Sequence, residues 1–296
     1  MPPDLSAHEL GALLGDGRVA SFERRPHPYG TSHALEELDV HLVDGSSLTL
    51  LAKDTATRSS EANALRLDHE RAVDEADVYR SVVAPHELAA PRFYGSVGTV
   101  LVLELVRGRP LWQVGELELW QSAAARLAVV HEQTRRIELE LPWHESGAGA
   151  RRRAARARLD EPGWFDRAWL RAAHVLEQLP AVLVHGDCYP SNVLVRADGR
   201  IVFVDWEEAS VGAGVIDLAA LTAGWDDRAA AAIVAAYVDA SPAARSLGDQ
   251  RFREALAAAR FLEAVRWLAT PASWRPPAEH ANDWSAQARA AAGALT

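Results

Sequence analysis

The chain has 296 residues, 49% of them apolar, which is enough for one large domain or two lobes and excludes global disorder. A formal net charge of −10 argues against a nucleic-acid partner, because phosphate backbones demand basic surfaces. Cys188 is the sole cysteine, so there is no internal disulfide and no multi-cysteine metal cluster.

No basic stretch followed by an apolar block opens the chain, and no apolar run approaches the ~20 residues a membrane span needs. These features predict a cytoplasmic protein with no membrane partner, a monomer or a homodimer. Arginines are many, but Lys53 is the only lysine. In so arginine-rich a chain, a retained lysine marks a place where a compact ammonium differs from a guanidinium.

From Gly17 to about Asp54 the pattern is that of strands. Leu38, Val40 and Leu42 alternate with Asp39 and His41, Asp44-Gly45 turns the chain, and Leu48 to Ala52 returns with Lys53 at the strand's end. A helix capped by Ser59 or Ser60 is expected to run to about Val83. Pro85 and Pro91 then break the chain. Phe93–Val97 and Val100–Leu105 read as a hairpin turning near Gly98. Arg107-Gly108-Arg109-Pro110 reads as a linker, which puts a lobe of residues 1–106 before a lobe of residues 107–296.

The second lobe is mainly helical. Leu119, Ala123, Leu127 and Val130 keep helical spacing up to about Thr134, and the basic stretch Arg151–Arg158 reads as a solvated helix face. Val182–Val184 leads into His185-Gly186-Asp187. Val193–Val195 and Ile201–Val204 flank the turn Asp198-Gly199. Helices are expected over Asp226–Asp239, Asp249–Ala269 and Glu279–Ala292.

The densest chemistry lies in His185-Gly186-Asp187-Cys188-Tyr189-Pro190-Ser191-Asn192, followed by Val204-Asp205-Trp206-Glu207. Moving a phosphoryl group from a nucleotide needs a carboxylate to accept the incoming hydroxyl's proton and oxygen ligands to fix magnesium. A hairpin turning at Asp198-Gly199 brings Asn192 and Asp205 to one end of that layout. Singly, Asp187 reads as a turn former, Asn192 as an Asx cap and Asp205 as a helix cap. Together, in this order and spacing, they read as a site. His185 is expected to organise the loop, and Cys188 to be a packing residue.

The run H-G-D-x-x-x-x-N, then D-W-E, resembles the aminoglycoside phosphotransferase and choline-kinase-like family, relatives of the protein kinases; the likeness extends over roughly Gly17 to Leu221. It implies an α+β, protein-kinase-like bilobal fold: an N-terminal antiparallel sheet with one helix, then a mainly helical lobe. It implies Asp187 as catalytic base, Asn192 and Asp205 on Mg2+, and Lys53 on the phosphates of ATP, with GTP an alternative. Glu75 is the implied partner of Lys53, with Glu61 and Glu70 as competitors. Thr31 and Ser32 are implied to meet phosphate in a loop lacking G-x-G-x-x-G. Adenine is expected on the backbone around Glu104, Leu105 and Val106, and Asp217 is implied to anchor the catalytic segment.

The acceptor is expected to be a small hydroxylated molecule, cationic in keeping with the −10 charge: an aminoglycoside-like molecule, an amino sugar or another natural product, with antibiotic resistance as one role. Glu207, Asp226, Asp227, Glu263 and Trp267 are the candidate contacts, with Trp225, Trp274 and Trp284 beside them. A metabolic kinase for choline, homoserine or a sugar is the alternative, and a non-catalytic nucleotide-binding regulator is another. A protein kinase fits less well, since an A-P-E-type segment is missing and only Glu207 to Ile216 separates Asp205 from Asp217.

Overall fold

The computed structural model describes residues 5–15, 19–28, 33–58, 74–144, 148–160, 162–270 and 283–295. The chain divides into two compact units, one ending at Arg107 and the other taking up the chain from Gly108.

The first unit is built on an antiparallel sheet. Its strands are β1 (Val19–Pro26), β2 (His33–Leu42), β3 (Ser47–Arg58), β4 (Phe93–Val97) and β5 (Val100–Glu104), in the order β1-β2-β3-β5-β4. The period-two pattern read in β2 places Leu38 and Val40 on the buried face, where they join Leu50, Ala52, Val100 and Val102. Helix α1 (Ala7–Leu13) covers this face with Leu10; it starts at a capping box in which Ser6 and Glu9 satisfy each other's backbone amides.

One element of this unit went unread, and one reading is corrected. The polar start of the chain hid α1, because a seven-residue helix offers too few turns to show a period. Lys53 does not end β3; it sits inside it, opposite Leu35 on one side and Leu101 on the other, and the strand continues to Arg58. The expected cap at Ser59 or Ser60, Glu61, Glu70, Thr31, Ser32 and Trp274 lie outside the described residues. Within them, Asp74 caps α2 (Glu75–Val78), which passes into a π-helical turn at Tyr79–Val83.

The second unit holds helices α3 (Leu117–Thr134), α4 (Ala148–Arg156), α5 (Phe165–Glu177), α6 (Val215–Leu221), α7 (Asp227–Ala240), α8 (Pro242–Leu268) and α9 (Trp284–Gly293). Helix α8 is its hub, packed by α4, α5, α6, α7 and α9. Gly248 interrupts α8 with φ 73° and ψ 159°, so the continuous helix starts at Asp249, as its sequence suggests. Among the described residues no helix is long and apolar enough to cross a membrane.

Short strands hold the loops of this unit. β6 (Gly108–Pro110), β8 (Val193–Arg196) and β9 (Ile201–Phe203) form one small sheet, and β7 (Ala181–Val184) pairs with β10 (Ser210–Ala213). The stretch read as a linker is therefore a strand from Gly108 on, paired with β8. Its glycine is needed for that approach: a Cβ at Gly108 would lie 2.9 Å from the Val195 carbonyl oxygen. Strand β10 and helix α6 also escaped the sequence reading, because short apolar runs do not distinguish helix from strand; helix α5 went unread although Phe165, Ala168, Trp169, Ala172, Val175 and Leu176 keep helical spacing.

Candidate active site

The segment between β7 and β8 carries the His185–Asn192 run, and its shape follows from one glycine. Gly186 has φ +78°, and a Cβ there would come within 2.2 Å of the Glu208 carbonyl oxygen, so no other residue fits. The turn it makes presents Asp187 next to the 3₁₀ turn Pro190–Asn192. Asn192 Nδ2 donates to Asp187 Oδ2 at 2.8 Å and to the Asp187 carbonyl oxygen at 2.9 Å. Because the amide nitrogen is committed to Asp187, the Asn192 oxygen is the atom it offers to a cation.

The loop is anchored from below by Asp217 in α6. The backbone N–H groups of His185 and Gly186 donate to its two carboxylate oxygens at 2.7 and 3.0 Å, and His131 Nε2 adds a third bond at 3.1 Å. The Tyr237 hydroxyl and His131 Nδ1 share a hydrogen bond at 2.8 Å. Burial would raise the Asp217 pKa, but the hydrogen bond and charge of His131 and the bond from His185 outweigh it and hold it below the usual carboxylate range. This is the anchoring role expected of Asp217. His185 is the organiser the sequence suggests: its Nε2 donates to the Val204 carbonyl at 3.0 Å and its ring packs on Trp206 at 4.6 Å.

Asp205 follows directly, on backbone with φ 69°, a left-handed conformation that costs energy for a non-glycine residue. The surroundings enforce it: Trp206 is fully buried with its indole N–H on the Phe203 carbonyl at 3.0 Å, and Val204 N–H bonds the Asn192 carbonyl at 2.9 Å. The β8–β9 hairpin thus places Asn192 and Asp205 at the same end of the ladder. Asp205, Glu208, His185 and Arg266 all act electrostatically on Asp187. Burial raises the Asp187 pKa, the nearby Asp205 and Glu208 add to the rise, and Arg266 opposes it.

Arg266, in α8, was not among the residues read as a candidate in the sequence. Its Nη2 donates to Asp187 Oδ1 at 2.8 Å and its Nη1 to the Gly186 carbonyl at 2.6 Å. Three residues earlier on the same face, Glu263 bonds the Tyr189 hydroxyl and, at 2.6 Å, the indole N–H of Trp267. Trp267 stacks on Trp284 of α9, with centroids 5.5 Å apart and planes 13° from parallel. Burial raises the Glu263 pKa, partly offset by Arg266 and by the Trp267 bond. The i, i+3 spacing from Glu263 was the one clue to Arg266, hidden among so many arginines.

The remaining candidates have local partners. Asp226 is the N-cap of α7, accepting from the backbone N–H groups of Arg228 and Ala229, and exposed Asp227 begins that helix. Trp225 packs edge-on against Trp120 at 4.9 Å. Glu207 lies in the half-buried turn after Trp206. Cys188 is fully buried and its thiol pKa is pushed well up by burial, which makes it the packing residue its context implies.

In the first unit, Lys53 Nζ lies 2.7 Å from Glu75 Oε2, and both side chains are almost wholly buried. This selects Glu75 among the described glutamates. The Glu104 backbone N–H donates to the Arg92 carbonyl oxygen at 2.8 Å.

Comparison with known proteins agrees on the fold. No curated protein matches the sequence. The choline kinase LicA from Streptococcus pneumoniae shares 14% identity at a TM-score of 0.57, over 97% of this chain and 96% of that one. LicA in complex with AMP is similar at 14% identity and a TM-score of 0.55, over 94% and 91%. The macrolide 2'-phosphotransferase MphH from Brachybacterium faecium shares 19% identity at a TM-score of 0.57, over 98% and 97%. The sequence model of the phosphotransferase enzyme family matches residues 40–256. The chain therefore belongs to that family and is a kinase-type phosphotransferase with the protein-kinase-like fold.

Proposed function

We propose that this enzyme transfers the γ-phosphoryl group of ATP to a hydroxyl of a small, cationic acceptor, with Asp187 as general base. The observation that carries the reading is the Asp187–Asn192 pair, held at 2.8 Å on a loop that Asp217 grips through two backbone amides. A carboxylate so held can take a proton from an oriented hydroxyl as the phosphorus–oxygen bond forms. Asn192 and Asp205 offer the amide and carboxylate oxygens that suit magnesium, and a strained aspartate just before a buried tryptophan is a built feature. Bound with the nucleotide, the ion neutralises phosphate charge. Lys53, paired with Glu75, is assigned to the nucleotide phosphates, and the backbone near Val106 to the base.

A cationic acceptor is supported by the grouping of Glu263, Tyr189, Trp267 and Trp284: a carboxylate set among aromatic faces suits an ammonium. LicA, a choline kinase by name, has an acceptor of that charge, whereas MphH, a macrolide 2'-phosphotransferase, supports the antibiotic reading. The test is ADP release from magnesium-ATP with choline, ethanolamine, glucosamine, kanamycin and erythromycin, each product identified by mass spectrometry. Phosphorylation of a hydroxylated amine supports the reading. Binding of magnesium-ATP without turnover on any acceptor would favour a nucleotide-binding regulator instead.

A further inference from the structure

We infer that Arg266 is a positioning residue for the phosphoryl transfer, clamping the catalytic loop together with Asp217. The inference rests on the assignment of Asp187 as the base.

The geometry is a double grip. The peptide on either side of Gly186 is fixed at both polar ends: its N–H by Asp217 at 3.0 Å, its carbonyl by Arg266 Nη1 at 2.6 Å. The Asp187 carboxylate is likewise fixed at both oxygens, Oδ1 by Arg266 Nη2 at 2.8 Å and Oδ2 by Asn192 at 2.8 Å. A carboxylate pinned at one oxygen rotates about its χ2 bond; pinned at both, it keeps one plane, and each oxygen still has a lone pair for the incoming hydroxyl. The planar guanidinium reaches the carbonyl and the carboxylate together, which a lysine ammonium does not.

Arg266 also has its own supports. It lies over the Tyr189 ring, 5.8 Å from the centroid. Its charge faces Asp187, Glu263 and Glu208, which hold it firmly protonated against burial. Helix α8 brings this cation to a place where half-buried carboxylates would otherwise face one another.

The experiment compares wild type with Arg266→Ala, Arg266→Lys and Asp187→Asn in the full chain. Crystal structures of the Arg266→Ala variant and wild type read the clamp without any acceptor. A turned Asp187 carboxylate or a flipped Gly186 peptide is expected; an unchanged loop would overturn the inference. Kinetics with magnesium-ATP and the panel acceptor that turns over fastest read the consequence. Arg266→Ala should lose about 100-fold in kcat, the scale of a misplaced reacting group, with KM for magnesium-ATP within about twofold of wild type. Arg266→Lys should recover only about tenfold of this, since one donor replaces two, and millimolar guanidinium should rescue the alanine variant.

A change confined to the acceptor KM would instead make Arg266 an acceptor contact and overturn the positioning role. Retained turnover in Asp187→Asn would bring down the base assignment itself. A dead Asp187→Asn beside a fully active Arg266→Ala would remove Arg266 alone.

Discussion

Replacing Asp217 with alanine tests how the catalytic loop is held. The substitution strands the N–H groups of His185 and Gly186 and the Nε2–H of His131, all of them buried and all bonded to this carboxylate. At roughly 1–3 kcal/mol for each donor left unpaired, the simple sum is about 3–9 kcal/mol. Partial relaxation and water entry bring the expectation to about 3–5 kcal/mol, a large part of the roughly 5–15 kcal/mol that holds a domain folded. Urea unfolding followed by tryptophan fluorescence measures it. Asp217→Asn keeps one acceptor oxygen but sets an amide N–H against a donor, so it should recover at most half the loss. Either variant, where folded, should turn over at least about 100-fold more slowly, because Asp187 is displaced. A loss below about 1 kcal/mol would refute the view that Asp217 is the anchor.

Glu75→Ala leaves the Lys53 ammonium buried without its carboxylate and should destabilise the first unit by about 3–5 kcal/mol, read as an earlier urea midpoint. Lys53→Arg should impair turnover despite its retained charge, because the larger guanidinium overfills a buried site; full activity would contradict this. His144, bonded to Ser210 and lowered by burial to about 4 from its ordinary 6.5, is neutral in the fold. Its contribution to stability is therefore complete above pH 6.5 and is lost as the pH falls from 6.5 towards 4, by at most about 3 kcal/mol. His144→Gln should flatten that slope in acid-unfolding curves. Cys188, buried with a raised pKa, should resist a thiol reagent in the native protein and react at once in urea.

Much of this was legible in the sequence for definite physical reasons. The alternation in β2 and the Asp44-Gly45 turn gave the sheet, because a half-buried strand must alternate and a tight hairpin needs a residue tolerant of positive φ; Gly45 has φ 84°. The polar run from His185 to Asn192 was readable because its chemistry is local: Asn192 reaches Asp187 only five residues away. The pair Lys53–Glu75 was readable from the lone lysine together with the family likeness, and in the fold the two side chains meet at 2.7 Å.

Most of what escaped was either too short or too distant. Helix α1 and strand β10 are too brief for periodicity, and Gly108–Pro110 resembles a linker until β8 is there to pair with it. Arg266 is 79 residues from Asp187 in sequence, and its neighbours Glu263 and Trp267 look like any core-and-rim helix until the fold turns that face to the loop. Asp226 was read as a candidate acceptor contact; in the fold its carboxylate caps α7.

The central claim, that Asp187 is the base of a phosphoryl transfer, is tested most directly by running wild type and Asp187→Asn side by side. Magnesium-ATP binding is measured by calorimetry, and ADP release with the acceptors of the panel. The account predicts that the variant folds, binds the nucleotide with affinity within a few-fold of wild type, and loses turnover by at least about 1000-fold, within the usual worth of general-base catalysis. An Asp187→Asn enzyme that still turns over at a wild-type rate would contradict it.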